Sequence, residues 1–499
     1  MAMRTENRTT FFLGGVAGVV WFGGSGTRNG NYIGSTGKIG TMVRCFVLAL
    51  FGISSILGAQ ETLGQRAIRY CTVLIRIDTT NPPGNETPAA EYVRAELEKE
   101  GIAAELLGDD RSRLNVVARV KGSGAHRAMM LMAHTDVVPA DRSQWSVDPF
   151  AAAVKDGYLY GRGAQDDKCL LAAEMAVLVE LKRRGTKLER DIILVAEADE
   201  EAGSLGIRWL IANAWDKIEA EFGINEGGAA VQTAEGTRVF EVQTSEKIPT
   251  RVRLIARGIA GHGSLPRADN PVVHLARAVT RLAEADQPVR LNTTTRRFLK
   301  EIMKLTDFRW VAPYLAQLEK PATAIAAANR LRQRDPELSA ILRTTVSPTM
   351  LEAGVKINVI PNSAVAQVDV RRLPTESREE LMERFRLMIN DPAVEVVSAG
   401  GQEMPATEPS SLTTPLYLAM EKVLRAAYPQ SVITPFMSRG ATDSAFLRQK
   451  GVAMYGAPVL FRADKESRAH GNDERIALAS LEEAAELLWK IVTMVAEAH

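Results

Sequence analysis

The 499-residue chain carries only three cysteines, Cys45, Cys71 and Cys169, which form neither a disulfide framework nor a CxxC metal knuckle. Histidine is scarce as well, at six residues, so a chemical role for any of them has to be argued singly. There is no long basic run and the formal net charge is +1, which leaves nothing to favour a nucleic-acid partner. A GxSxG nucleophile turn and a phosphate-binding loop are both lacking; "GSLG" at 203–206 reads as the start of a helix after an acidic loop. Long apolar runs are missing too. The two longest, "FFLGGVAGVVWFGG" (11–24) and "CFVLALFGISSIL" (45–57), are short and rich in glycine or serine and do not by themselves mark a membrane span.

What remains is an ordinary globular composition, 46% hydrophobic and 24% charged, long enough for one large core or two. Residues 1–60 read as a leader. Met42, the basic Arg44, an apolar stretch and the small residues of "LGAQ" (57–60) have the layout of a signal peptide, with cleavage after Ala59. On that reading translation effectively starts at Met42, residues 1–41 are an over-extended gene start, and the protein is secreted or periplasmic. The alternative is an uncleaved amino-terminal membrane anchor.

From about residue 61 helix and strand alternate. The spacing predicts helices over 61–77, 87–101 (with a Thr cap) and 167–185, the last amphipathic and stopped by Gly185. Strands are predicted at 128–134, 191–198 and 219–225. Buried strands between helices argue an α/β fold, a sheet covered on both faces with polar clusters at the strand ends. Near residue 247 the pattern changes. Half-exposed strands at 250–258, 364–373 and 393–398, helices at 270–285 and 377–390, and a mostly helical stretch up to about 345 suggest a small α+β domain. The expected organisation is thus a catalytic part over 61–246, an inserted domain over 247–400 and a second catalytic part over 401–499, ending in a helix at 480–498.

Three predicted strand ends carry metal-type ligands: "AHTDVVP" with His134 and Asp136, "GRGAQDDK" with Asp166 and Asp167, and "EADEEAGS" with Glu200 and Glu201. "NEGG" adds Glu226 and "AHGNDE" adds His470. Imidazole with carboxylate is the donor set of Zn²⁺ and its neighbours. Each segment alone has a bland reading as a structural histidine, a solvated loop or a helix cap. Their joint occurrence at successive strand ends, with more carboxylates than one four-coordinate ion needs, points to two ions sharing a carboxylate. Glu197, in phase with its strand, is assigned to structure. His126 in a loop, His274 on a helix among apolar neighbours, and the terminal His499 receive no chemical role, and Cys169 reads as a small core residue.

Taken in order, "HTDVVP", "W..DPF", "DG.LYGRGAQDDK", "DEEAGS.G", "NEGG", "GHGS.P", "N.IPN", "D.R" and "H.NDE" resemble the aminoacylase/carboxypeptidase family of dinuclear zinc peptidases. That family includes aminoacylase-1, carboxypeptidase G, carboxypeptidase S and the succinyl-diaminopimelate and acetylornithine deacylases. The resemblance runs from about residue 65 to the carboxyl terminus. It implies a zinc-peptidase domain with a central, mostly parallel sheet, carrying an inserted ferredoxin-like lid and dimerisation domain. It further implies that His134 and Glu226 hold one metal and Glu201 and His470 the other, with Asp166 bridging. Asp136 would orient His134, and Glu200 would be the general base. Where the family has methionine or a small residue after the bridging aspartate, this chain has Asp167.

The same resemblance makes His262 an oxyanion donor from the lid, reaching the neighbouring subunit in dimeric members. Asn358 and Arg371 would position substrate, Arg371 forking on its carboxylate with Arg372 as rival. Gly440 would lie in the turn where substrate lodges, and Asp443 would be structural. The expected activity is metal-dependent cleavage of a peptide or N-acyl-amino-acid amide beside a free carboxylate, with two Zn²⁺ (or Co²⁺ or Mn²⁺) and a homodimer through the lid. The alternatives are a deacylase narrowed to one N-acylated amino acid, and a binding protein of the same fold that has lost the chemistry.

Overall fold

The computed structural model describes residues 61–400, 404–462 and 467–498. The leader expected over 1–60 and His499 lie outside these residues. Helix α1 (Leu63–Arg76) opens with a capping box, in which the side chains of Thr62 and Gln65 each accept the other's backbone N–H. Helix α2 (Thr87–Lys99) lacks the expected threonine cap. Thr87 is already helical, and its hydroxyl donates to the carbonyl of Arg111. Strands β1 (Ala104–Leu107), β2 (Asn115–Val120), β3 (Met129–His134), β4 (Ala153–Lys155) and β5 (Tyr158–Tyr160) follow.

Helix α3 (Lys168–Arg184) ends at Gly185, whose φ of 60° is the left-handed conformation that glycine adopts without strain. It is not amphipathic as expected, because every residue from Lys168 to Val179 is buried. Its Cys169 is bonded to Cys71 of α1, so these two cysteines form a disulfide and not simply small core contacts. Next come β6 (Ile192–Glu197), α4 (Leu205–Asn213), α5 (Trp215–Ile218), β7 (Phe222–Asn225), β8 (Ala229–Gln232) and β9 (Arg238–Glu246).

The middle of the chain holds β10 (Ile248–Arg257), β11 (Gly261–His262), α6 (Pro271–Glu284), α7 (Thr293–Ile302), α8 (Ala312–Leu318), α9 (Pro321–Arg334) and α10 (Pro336–Ala340). It continues with β12 (Thr345–Ala353), β13 (Val359–Ile360), β14 (Ser363–Arg372), α11 (Arg378–Ile389) and β15 (Val394–Ser398). The last segment is α12 (Pro415–Ala427), β16 (Val432–Ser438), α13 (Ser444–Gln449), β17 (Ala453–Gly456), β18 (Arg475–Ala477) and α14 (Leu478–Ala496).

The large sheet runs β1-β2-β6-β3-β7-β17-β9-β16, with β8 beside β9. Its centre, β6-β3-β7-β17, is parallel. Fully buried strands such as β3 and β6 are what a sheet with both faces covered requires. The register pairs His134 with Glu197, so β3 and β6 end level and release their polar segments at one edge.

A second sheet, β12-β14-β10-β15, is formed by a β-α-β-β-α-β order of ferredoxin type. Val252, Leu254, Ala366 and Val368 bury one face against α6 and α11, while Arg251, Asp369 and Arg371 occupy the other. Helices α7–α10 gather a core of their own around Phe298, Leu299 and Leu331. Among the described residues no helix is long and apolar enough to cross a membrane.

Candidate metal centre and active site

Each acidic or imidazole side chain of the site leaves the end of a strand or a turn held by buried hydrogen bonds. His134 closes β3, and its Nε2 lies 2.9 Å from one oxygen of Asp166. The other oxygen of Asp166 lies 3.1 Å from Nε2 of His470, which is also 3.1 Å from Glu201. Possible ligand atoms of His134, Asp166 and Glu201 lie within 4.8 Å of one another, and so do those of His134, Glu200 and Glu226. Five expected ligands and Glu200 therefore converge. Glu200 stands nearer His134 and Glu226 than a residue wholly apart from the cation positions would.

The supports are specific. The Asp136 carboxylate accepts the backbone N–H of both Glu200 and Glu201 at 3.1 Å, and the Asn81 amide at 2.8 Å. Its side chain is not the main partner of His134. Nδ1 of that ring is 2.9 Å from the Asp136 backbone carbonyl and 3.5 Å from its carboxylate. Asp199, at φ 69°, accepts from Asn81, Arg113 and the N–H of Leu205, which pins the turn after Glu200 and Glu201. Glu474, which sequence reasoning passed over, accepts the backbone N–H of Gly163, Gln165 and Asp166 and the guanidinium of Arg162. It shapes the turn that presents Asp166.

The electrostatics suit a cation. Burial pushes the carboxyls of Glu200 and Glu226 well above the ordinary range, and carboxylate neighbours add to the shift. Burial also opposes charge on Asp166, yet the imidazoles of His134 and His470 hold its carboxyl below the usual range. Hydrogen bonds to Asp166 and Glu201 raise His470 to about 10. So many acidic oxygens facing two imidazole nitrogens, in a partly buried pocket, is a donor set that fits divalent metal.

The other expected residues divide. Arg371 lines the cleft with Glu200 and Glu201, its Nε 3.1 Å from Asp369, while Arg372 is buried and bonded to the backbone of Glu376. Ala441 lines the same cleft, and its neighbour Gly440 donates its N–H to Ser438. Asp443 is buried beside Glu197, and burial pushes its carboxyl to about 7. His262 and Asn358 meet on the exposed β11–β13 ribbon. The N–H of Gly263 bonds Asn358 there and His262 bonds Ser264, and neither His262 nor Asn358 lines the cleft. His274 is not simply among apolar neighbours: its Nδ1 pairs with Asp391 at 2.6 Å. His126 sits exposed, 3.4 Å from Glu189.

A parallel-centred α/β sheet, carrying an imidazole–carboxylate cluster at one strand edge and a ferredoxin-like insertion, defines a metal-dependent hydrolase of the α/β class. The chain belongs to the peptidase family M20/M25/M40, whose pattern matches residues 130–494. It is 28% identical over 369 residues to the human N-fatty-acyl-amino acid synthase/hydrolase PM20D1, covering 73% of each chain. It is 27% identical over 354 residues to human aminoacylase-1, covering 70% of this chain and 75% of that one. The M20 family metallo-carboxypeptidase Sso-CP2 from Sulfolobus solfataricus shares the fold at a TM-score of 0.66 and 21% identity, over 86% of this chain and 99% of that one.

Proposed function

We propose that the protein hydrolyses the amide of an N-acyl amino acid or small peptide beside a free α-carboxylate, using two divalent cations, Zn²⁺ in the first instance with Co²⁺ or Mn²⁺ as substitutes. The observation that carries the reading is Asp166, whose two oxygens face two different imidazoles, His134 and His470, at 2.9 and 3.1 Å. That is the placement a carboxylate shared by two ions needs. His134 and Glu226 would hold one ion, and Glu201 and His470 the other. When bound, such a pair supplies the positive charge that acidifies water and polarises an amide carbonyl.

The rest falls to the chain. Glu200 takes the proton of the attacking water at its carboxylate and returns it to the departing amine. Burial favours the protonated form it must pass through. Asp136 fixes the backbone of both glutamates, and Arg371 draws the substrate carboxylate into the cleft. The PM20D1 relatives, named for N-fatty-acyl-amino acids, support that substrate class over peptides; a deacylase narrowed to one acylated amino acid is the second reading.

His262 and Asn358 sit together on an exposed ribbon flanked by bare apolar side chains, Leu265, Val355 and Ile357. This supports a homodimer through the second sheet, in which that ribbon serves the neighbouring subunit's site. The Cys71–Cys169 disulfide supports export behind a signal peptide, since such bonds persist in oxidising compartments.

Chelation should abolish hydrolysis of N-acyl amino acids and dipeptides, and added Zn²⁺, Co²⁺ or Mn²⁺ should restore it. Full turnover in metal-free protein would refute the reading.

A further inference from the structure

We infer that Arg462 is the specificity residue of an acyl-side subsite, selecting an acyl group that ends in a carboxylate. The inference rests on the hydrolase reading above. A second pocket, sharing no lining residue with the cleft of Arg371, also reaches the cluster. The cleft of Arg371 is walled by Glu200 and Glu201, whereas this pocket, about 730 Å³ including its mouth, reaches Asp166 and Glu226. A substrate with its α-carboxylate at Arg371 and its scissile amide at the cluster would extend its acyl group here. Leu170, Leu460, Phe461 and Ile476 give the pocket apolar walls.

Arg462 is the anomaly in that lining. Its backbone N–H is tied to the carbonyl of Ala230, which fixes where its side chain starts. Its side chain is half-buried in the pocket wall, yet it has no hydrogen-bonding or ion-pair partner among the described residues. Asp166, Glu226 and Glu241 lie within reach of its field, but none is within ion-pair distance. The other arginine of the pocket, Arg475, is engaged: it donates to the Tyr160 hydroxyl at 2.8 Å and stacks on Tyr158.

A half-buried guanidinium that lines a pocket without a partner gains most from a planar anion, and a carboxylate is its best match. Asp166 and Glu226 belong to the cation cluster and Glu241 stays beyond ion-pair distance, so a closely paired anion would come with the ligand. A short dicarboxylic acyl group such as glutaryl lays its methylenes on the apolar walls and its far carboxylate on Arg462. A plain alkanoyl group of similar length fills the walls and leaves the cation unpaired, the kind of mismatch that polar sites reject strongly.

The test compares N-glutaryl and N-hexanoyl derivatives of one amino acid on the metal-loaded enzyme. The expected ratio of kcat/KM is ~10-fold or more in favour of glutaryl. Arg462→Met should collapse that ratio toward one, through a higher KM for the glutaryl substrate, and Arg462→Lys should keep part of it. Calorimetry with free glutarate reads the pocket without turnover, with binding expected in the wild type and lost in Arg462→Met. If no N-acyl amino acid or dipeptide is hydrolysed, the hydrolase reading fails while glutarate binding still decides this one. A wild-type preference for hexanoyl, or an Arg462→Met enzyme that loses both substrates equally or loses metal, would overturn the proposal and leave Arg462 as a support for the cluster.

Discussion

Asp136 accepts three hydrogen bonds on its carboxylate, two from successive backbone N–H groups and one from Asn81. One buried side chain thereby fixes the segment that carries both Glu200 and Glu201. Asparagine in its place keeps the size but turns an acceptor oxygen into an NH₂ facing those same donors. Asp136→Asn should therefore fold, as judged by circular dichroism, yet bind metal ~10–100-fold more weakly in a competition titration. Unchanged metal affinity would contradict the positioning role. The family resemblance pairs Asp136 with His134, but only the structure shows that the backbone carbonyl is the closer contact. Glu474 was illegible for a related reason. In sequence it is one more acid in a polar loop, and its partners are backbone groups of residues 163–166, more than 300 positions away.

At the scale of elements, Lys247 sits between β9 and β10, where the chain passes from the large sheet to the second one. Its ammonium donates to the carbonyls of Ala340 and Arg343 and to the Thr345 hydroxyl, tying this crossing to the start of β12. Burial and then the nearby guanidiniums of Arg371, Arg439 and Arg343 push it from 10.5 to about 7. Between those values the unfolded chain holds a proton that the native state has released, so native stability rises with pH across that window. Lys247→Met removes this slope. The melting temperature of the wild type relative to the variant should therefore increase from pH 7 to pH 9, and a constant difference would contradict the assignment.

Strands that alternate were legible, β10 and β14 among them, because one face buries apolar residues against helices and the other carries charge. Strand β12 was not: Pro348 interrupts it, a register shift follows, and most of its residues are exposed. Helix α3 was legible in extent but not in environment. Periodicity registers one apolar stripe, whereas this helix has the sheet on one side and α1 and α14 on others, so nearly its whole circumference is covered.

The molecule as a whole joins two sheets around one acidic cluster, and most of that plan could be read from the residues at strand ends. Parallel strands end level, so ligand types scattered over more than 300 positions are brought to one edge by topology. The Cys71–Cys169 bond could not be read that way, because three cysteines carry no spacing signal and pairing depends on α1 packing against α3. On the proposed reading this cluster holds catalytic metal while Glu200, within it, does the proton transfer. The most direct test is metal content and N-acyl-amino-acid hydrolysis measured on the same preparations of wild type, Glu200→Gln and Glu201→Gln. Glu200→Gln should keep near wild-type metal with turnover reduced by ~10²–10⁴-fold, and Glu201→Gln should lose metal. Retained turnover in Glu200→Gln, or equal metal loss in both variants, would contradict that reading.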